Sequence, residues 1–178
     1  MHSTRIDRSA LLVFLREQFA LDWRGDHGIT HWARVRANGL LLTPLTGASS
    51  HVVELFAFFH DAARRNEGED SGHGARGARL AKQLQGQFFD ATPEEMDLLG
   101  LACRQHSDGR VKGDATVLTC WDADRLDLGR VGIKPLARLL CTAAARQQHV
   151  IDTAYERSTP EYRLGAQDAL HLLARPRE

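Results

Sequence analysis

Six histidine and aspartate side chains stand at the inward ends of apolar helical faces, where their types suggest binding of a divalent metal ion. His106, for example, follows Leu99 and Cys103 at steps of four and three residues, so its imidazole falls on the apolar face of its helix. Burying several such groups together is costly unless they share a partner, and a cation is the natural one. The candidate ligands are His31, His60, Asp61, His73, His106 and Asp124.

The adjacent pair His60-Asp61 ends a strongly apolar helix. Neighbouring residues on a helix lie about 100° apart around its axis, so one side chain can bind an ion while the other approaches from the side or bridges to a second ion. Imidazole and carboxylate without thiolate suit Mn, Fe, Zn, Ni or Co better than a structural cysteine-zinc site. We therefore expect a cofactor of one or two divalent ions, drawn from these metals and Mg.

Helices must position these side chains, and the apolar periodicity predicts an all-α fold. The clearest start is Thr92-Pro93-Glu94-Glu95, which combines a capping box with proline at the first helical position. The helix that carries His31 is expected to end before Pro44, because proline disfavours helical geometry at the preceding residue. Helices are predicted over about residues 6–20, 29–42 and 50–65, from beside His73 through Leu84, from Thr92 through His106, along 117–128, and over about 135–156 and 160–174.

Composition limits the class of protein. The 178 residues contain 23 Lys plus Arg and 23 Asp plus Glu, so no net charge attracts nucleic acid or an anionic membrane. With 43% hydrophobic and 26% charged residues and no linker, residues 1–178 are expected to form one globular domain. The three widely spaced cysteines indicate reduced thiols, and no apolar run near the N-terminus approaches the roughly 20 residues that span a bilayer. We expect a cytoplasmic protein without nucleic-acid or membrane partners.

Three motifs carry a resemblance to a known family. They are His31 in His31-Trp32-Ala33-Arg34-Val35, the doublet His60-Asp61, and Asp124 in Asp122-Ala123-Asp124-Arg125-Leu126-Asp127. Their order resembles that of the HD-domain superfamily of metal-dependent phosphohydrolases, whose ligands follow the pattern His, His-Asp, Asp. The resemblance covers about residues 27–128 and implies a compact single-domain helical bundle, to which C-terminal helices over about 135–174 are added.

The resemblance also implies roles for the ligands. A first metal would be held by His31, His60, Asp61 and Asp124. Some family members bind a second metal with two histidines between the doublet and the last aspartate, and His73 and His106 occupy that interval. Asp61 would then bridge the two ions, which makes it both a ligand and a candidate catalytic residue.

Each assignment has an alternative. His31 could be a buried histidine bonded to the main chain, and His27, four residues earlier on the same helical face, competes with it. Asp122 is an alternative to Asp124 as the metal ligand. The apolar stepping favours Asp124, and Asp122 would then orient a ligand by a hydrogen bond without touching the metal. His60 and Asp61 could instead form an ion pair at a helix end. His73 and His106 could be capping or surface histidines.

A phosphohydrolase also needs cationic groups for the phosphate and a group that moves protons. Arginine suits bidentate phosphate contacts, although a solvated charged face is the ordinary alternative. The candidate substrate-binding residues are Arg64, Arg65, Arg76, Arg79 and Lys112. Among the acidic residues that follow the doublet, Glu67 is the candidate catalytic acid, with Glu69 and Asp70 as alternatives.

These residues predict a metal-dependent phosphohydrolase, either a phosphatase or a phosphodiesterase, in which metal-activated water attacks a small phosphorylated metabolite. The resemblance suggests a nucleotide as that substrate. Two alternatives keep the same ligands: a di-iron oxygenase of the same fold and a non-catalytic metal-binding sensor. The chain lacks a G-x-x-x-x-G-K phosphate loop and a G-x-S-x-G nucleophile elbow, which sets aside P-loop ATPases and serine hydrolases. Trp23, Trp32 and the C-terminal helix are candidates for a homodimer interface.

Overall fold

The computed structural model describes residues 5–159, 162 and 164–176, and this part of the chain is all-α, as predicted. The helices are α1 (Arg8–Gln18), α2 (Ile29–Thr46), α3 (Ser50–Phe59), α4 (His73–Leu84), α5 (Pro93–Gln105), α6 (Ala115–Arg125), α7 (Gln148–Ser158) and α8 (Ala166–Ala174). Short 3₁₀ turns cover Leu128–Val131 and Ala137–Leu139. None of the helices in the described ranges is long and apolar enough to cross a bilayer.

Helix α3 forms the centre of the fold, with α2, α4, α5 and α6 packed around it. Every residue from His51 to Phe59 is buried, which explains why this segment is apolar on nearly all faces. Its single acid, Glu54, is fully buried and accepts hydrogen bonds from Arg8 at 2.7 and 2.8 Å and from Arg36 at 2.8 Å. These bonds tie α1 and α2 to α3, and removing one partner of such a buried pair costs about 3–5 kcal/mol.

Helix α5 starts where the sequence predicts. The Thr92 hydroxyl accepts a hydrogen bond from the Glu95 amide at 3.2 Å, and the Glu95 carboxylate accepts one from the Thr92 amide at 3.0 Å. Pro93 occupies the first helical position, where its missing N–H leaves nothing unpaired. The helix runs from this start to Gln105, and His106 follows directly as its C-cap.

Helix α2 continues through Pro44 to Thr46, so the prediction that it ends before Pro44 was wrong. A proline inside a helix leaves the carbonyl four residues earlier without its usual donor. Here the Thr43 hydroxyl donates to that carbonyl, on Leu40, at 3.0 Å. The helix ends instead at Gly47, whose φ of 71° suits glycine.

Two other predicted helices end or begin elsewhere. Helix α3 stops at Phe59 with His60 as its C-cap, rather than continuing to residue 65. The last helix begins at Ala166, whereas its predicted start, Pro160, lies outside the described residues.

The helix predicted over about 135–156 forms only in its second half, as α7. A buried carboxylate explains the difference. Asp122 accepts hydrogen bonds from the amides of Cys141 at 2.6 Å and Thr142 at 2.8 Å, and from the Thr142 hydroxyl at 2.8 Å. These bonds hold the chain before α7 in a turn, because amides bound to a side chain cannot serve a helical ladder.

Helix α4 lies unusually close to its neighbours because two of its residues have no side chain. A β-carbon at Gly77 would lie 2.1 Å from the carbonyl oxygen of Phe59, and one at Gly74 would lie 2.1 Å from that of Cys103. Both distances are far inside van der Waals contact. The two glycines therefore let the start of α4, with His73, reach the ends of α3 and α5.

Candidate metal centre

The six predicted ligands meet where five helices begin or end. His31 lies in the first turn of α2, His60 and Asp61 follow α3, His73 opens α4, His106 follows α5, and Asp124 lies in the last turn of α6. Their side chains are buried, apart from the partly exposed Asp124. They form two groups of three that could each hold a metal ion: His31, His60 and Asp124, and Asp61, His73 and His106.

The first group joins α2, α3 and α6. The Nε2 atoms of His31 and His60 lie 3.0 Å apart. The Oδ1 atom of Asp124 lies 3.4 Å from the Nε2 of His31 and 4.0 Å from that of His60. Two imidazole nitrogens and one carboxylate oxygen thus converge on a single point, a donor set that suits a divalent transition metal.

The second group joins the ends of α3 and α5 to the start of α4. The Nε2 atoms of His73 and His106 lie 2.8 Å apart. The Oδ1 atom of Asp61 lies 3.3 Å from the first and 3.7 Å from the second. This group has the same donor chemistry as the first one.

Asp61 connects the two groups. While its Oδ1 faces His73 and His106, its Oδ2 lies 3.6 Å from the Nε2 of His31 and 3.7 Å from that of His60. The residue is 2% exposed, and its Oδ1 has no hydrogen bond in the described structure. A buried carboxylate oxygen without a donor is costly, so its position fits a cation shared by the ligands.

The outer nitrogens of the imidazoles are all engaged. The Nδ1 atoms of His60, His73 and His106 donate to main-chain carbonyls. That of His31 contacts the carboxylate of Asp127 at 2.6 Å. A carbonyl only accepts, so the Nδ1 atoms that face carbonyls carry the protons and the Nε2 lone pairs point inward. Lone pairs that face each other at 2.8 and 3.0 Å repel unless a cation lies among them, and this arrangement is typical of metal-binding histidines.

Electrostatics favours the metal-binding protonation states of His31, His60 and Asp61. In His106 it favours the protonated ring, from which a bound ion would have to displace the proton. Burial lowers the pKa of His31 well below its usual value and lowers that of His60. Burial would raise the pKa of Asp61, but the charge of His60 and the contact with His106 hold it well below its usual range. The pKa of His106 is raised, because Asp61 and Asp124 outweigh the opposing effect of burial. Neutral imidazole and ionised carboxylate are the forms that bind metal.

A cavity of about 280 Å³ opens onto this centre. Its walls include Asp61, His106 and Asp124 from the two groups, together with three arginines, Arg64, Arg125 and Arg130. The Nη1 atom of Arg64 lies 3.6 Å from the Oδ1 of Asp61. The site therefore combines cation ligands with guanidinium groups that suit an oxyanion.

Of the basic residues predicted to bind substrate, Arg64 lines this cavity and four others do not. Arg76 instead pairs with Asp70 and donates to the Ala63 carbonyl at 2.9 Å. The other three are exposed: Arg65, Arg79 and Lys112. Arg125 and Arg130 were not selected from the sequence, although both lie within six residues of Asp124.

The structure also distinguishes the alternatives for two ligands. His31 belongs to the first metal-binding group, whereas His27 lines the cavity and contacts Glu67. Asp124 belongs to that group too, whereas Asp122 binds the amides before α7.

Asp127, which orients His31, was missed by the sequence analysis. It follows Asp124 by three residues, a spacing that places it on the same side of the chain.

Comparisons of this chain with protein-family models, curated proteins and solved structures found no match. The all-α fold and the two His/Asp groups are compatible with an HD domain.

Proposed function

We propose that this protein is a metal-dependent phosphohydrolase of the HD type that acts on a small phosphorylated metabolite. The observation that carries the proposal is the cavity in which Asp61, His106 and Asp124 lie beside Arg64, Arg125 and Arg130. A divalent ion bound by the two groups would supply Lewis acidity, lowering the pKa of water and polarising a phosphoryl oxygen. A nucleotide is the substrate class favoured by the order of the motifs.

The three arginines are the protein's own contribution to phosphate binding. Each is held by main-chain carbonyls, which fixes its guanidinium beside the cavity. Arg64 donates to Gly68 at 2.6 Å, Arg125 to Arg110 at 2.7 Å, and Arg130 to Asp26 at 2.9 Å. Pre-positioned guanidiniums stabilise charge that develops on a transferring phosphoryl group. Their positive charge favours a substrate that carries an anionic phosphoester group.

A proton donor can be assigned to the same wall. His27 lines the cavity, and its Nδ1 contacts the carboxylate of Glu67. Glu67 does not line the cavity, so it acts on the reaction through His27 by orienting the imidazole. Glu67 is thus proposed as a positioning residue and His27 as the group that exchanges a proton with the leaving group.

The test is a comparison of two adjacent arginines. Purified protein, loaded in turn with Mn, Fe, Zn, Ni, Co or Mg, is assayed with a phosphomonoester and a phosphodiester of p-nitrophenol. Arg64→Gln should lower kcat/KM by about tenfold or more with unchanged metal content. Arg65→Gln, the exposed neighbour, should leave both unchanged.

Three outcomes would contradict the proposal. They are an absence of phosphate release with every metal from protein that demonstrably holds the ion, equal losses in both arginine variants, and oxygen uptake without phosphate release. Glu67→Gln adds a check on proton transfer, since it should reduce kcat and alter its pH profile while KM stays close to that of the parent protein.

A further inference from the structure

A second and larger cavity, of about 760 Å³, lies next to the metal centre. It is bordered by α1, the loop before α2, α2 itself and the turn Leu128–Val131. Further wall comes from the end of α7, Tyr162, Leu164 and the first half of α8. We infer that this cavity binds a second small molecule that carries an oxyanion such as a phosphate. Its volume lies within the range of about 300–1,000 Å³ that is usual for small-molecule sites.

The charge of the cavity wall supports an anion. Four arginines line it: Arg16, Arg24, Arg34 and Arg130. Asp26 is the one acidic residue among the lining residues that the structure describes. The wall therefore has an excess of positive charge, although the whole chain has a formal net charge of zero. Such a local excess inside a concave surface raises the concentration of anions there.

Two of these arginines are held rigidly. Arg34 donates to Asp127 at 2.6 and 3.1 Å, and Arg130 donates to the main-chain carbonyl of the same residue at 3.0 Å and lies 3.9 Å from its carboxylate. The side chains of both arginines are at most 14% exposed, and Asp127 is fully buried. The single carboxylate of Asp127 thus faces two guanidinium groups as well as His31. One positive charge of the two arginines is left without a counter-charge, and a bound anion would balance it.

The guanidinium groups of the other two arginines are available to a ligand. Arg16 and Arg24 are exposed, and among the described residues the side chain of neither forms an ion pair or a hydrogen bond, since the one bond to Arg24 is made by its main-chain amide. A guanidinium presents a planar set of donors that matches a phosphate bidentately. Trp23, Tyr162 and Leu170 supply apolar wall for the rest of the molecule.

This site is independent of the proposed phosphohydrolase activity. Arg16 and Arg24 line the larger cavity and are not among the residues that line the cavity at the metal centre. Only Arg130 is shared by the two walls among the arginines described. Substitution of Arg16 and Arg24 therefore examines the larger cavity alone.

The experiment measures binding of inorganic tripolyphosphate by calorimetry. The protein is first stripped of metal with a chelator and dialysed, so that the probe does not bind through an ion. We expect saturable binding to the parent protein. In the double variant Arg16→Gln/Arg24→Gln the affinity for tripolyphosphate should fall by about 100-fold, or about tenfold for each arginine removed. Arg79→Gln, an exposed arginine of α4 that lines neither cavity, is the control and should bind like the parent protein.

Three results would overturn the inference: no saturable binding in the millimolar range, equal affinity of the double variant and the parent protein, or an equal loss in the Arg79→Gln control. Far-ultraviolet circular dichroism of each variant verifies that it is folded. Phosphate release is measured separately, and its absence would leave the binding result unaffected.

Discussion

Replacing Asp61 with asparagine removes one negative charge from the middle of the site while keeping the size of the side chain. The two carboxylate oxygens lie 3.3–3.7 Å from four imidazole Nε2 atoms, so a cation bound by either group lies near this charge. Unit charges about 4 Å apart interact by about 4 kcal/mol at an effective dielectric constant of roughly 20, and the double charge of the ion makes this value a minimum. Because about 1.4 kcal/mol is a tenfold change in affinity, Kd for the metal should rise by about three orders of magnitude or more.

The assay is elemental analysis of the purified variant, followed by competition with a chromophoric chelator. Asp122→Asn is the matched control, since Asp122 is equally buried but binds the amides of Cys141 and Thr142. It should lower the free energy of unfolding by about 1–3 kcal/mol and leave metal content unchanged. Asp61→Asn protein that retains metal with Kd within about tenfold of the parent value would refute the reasoning.

Three further predictions concern the residues around the ligands. Gly77→Ala should lower both thermal stability and metal content, because its new β-carbon would lie 2.1 Å from a carbonyl oxygen. Gly100→Ala is the control. Its new β-carbon meets only the flexible tip of an arginine side chain, so this variant should be neutral or stabilising in thermal melts. Asp127→Asn should weaken metal binding by about 10- to 100-fold in a chelator competition, and an unchanged Kd would show that it does not orient His31. Arg76 lowers the pKa of Asp70 to about 2, so the stabilisation from this pair is present above about pH 4 and is lost as the pH falls towards 2. The difference in unfolding free energy between the parent protein and Asp70→Asn should therefore narrow over that range in denaturant titrations, and a constant difference would contradict the assignment.

The sequence predicted which His and Asp side chains are brought together better than it predicted the ends of the helices. Apolar stepping placed His106 and Asp124 on inward faces, and both lie in the groups that could hold a metal ion. The stepping reports which side of a helix is buried, and that property decides where a ligand points. Helix ends depend on individual hydrogen bonds from distant residues. The bond from Thr43 that permits Pro44 within α2 and the bonds to Asp122 that prevent a helix before α7 left no periodic signal.

The arginines were harder to predict for a different reason. Arg64, Arg65, Arg76 and Arg79 all lie near the ligands in sequence, yet only Arg64 lines the cavity at the metal centre among them. Arg130 reaches it from the 3₁₀ turn that follows α6. Sequence spacing does not encode that turn, so the position of a long flexible side chain becomes clear only from the folded chain.

The missing side chains of Gly74 and Gly77 have a consequence for how Asp61, His73 and His106 are held relative to one another. Peptide groups of α4 rest directly on those at the ends of α3 and α5, without rotatable groups in between. Elsewhere a core can absorb a change in volume by turning a rotamer, but stacked peptide planes have no such freedom. Main-chain contacts therefore set the spacing of the helix ends that carry Asp61, His73 and His106, and rotamer changes in the surrounding hydrophobic side chains do not alter it.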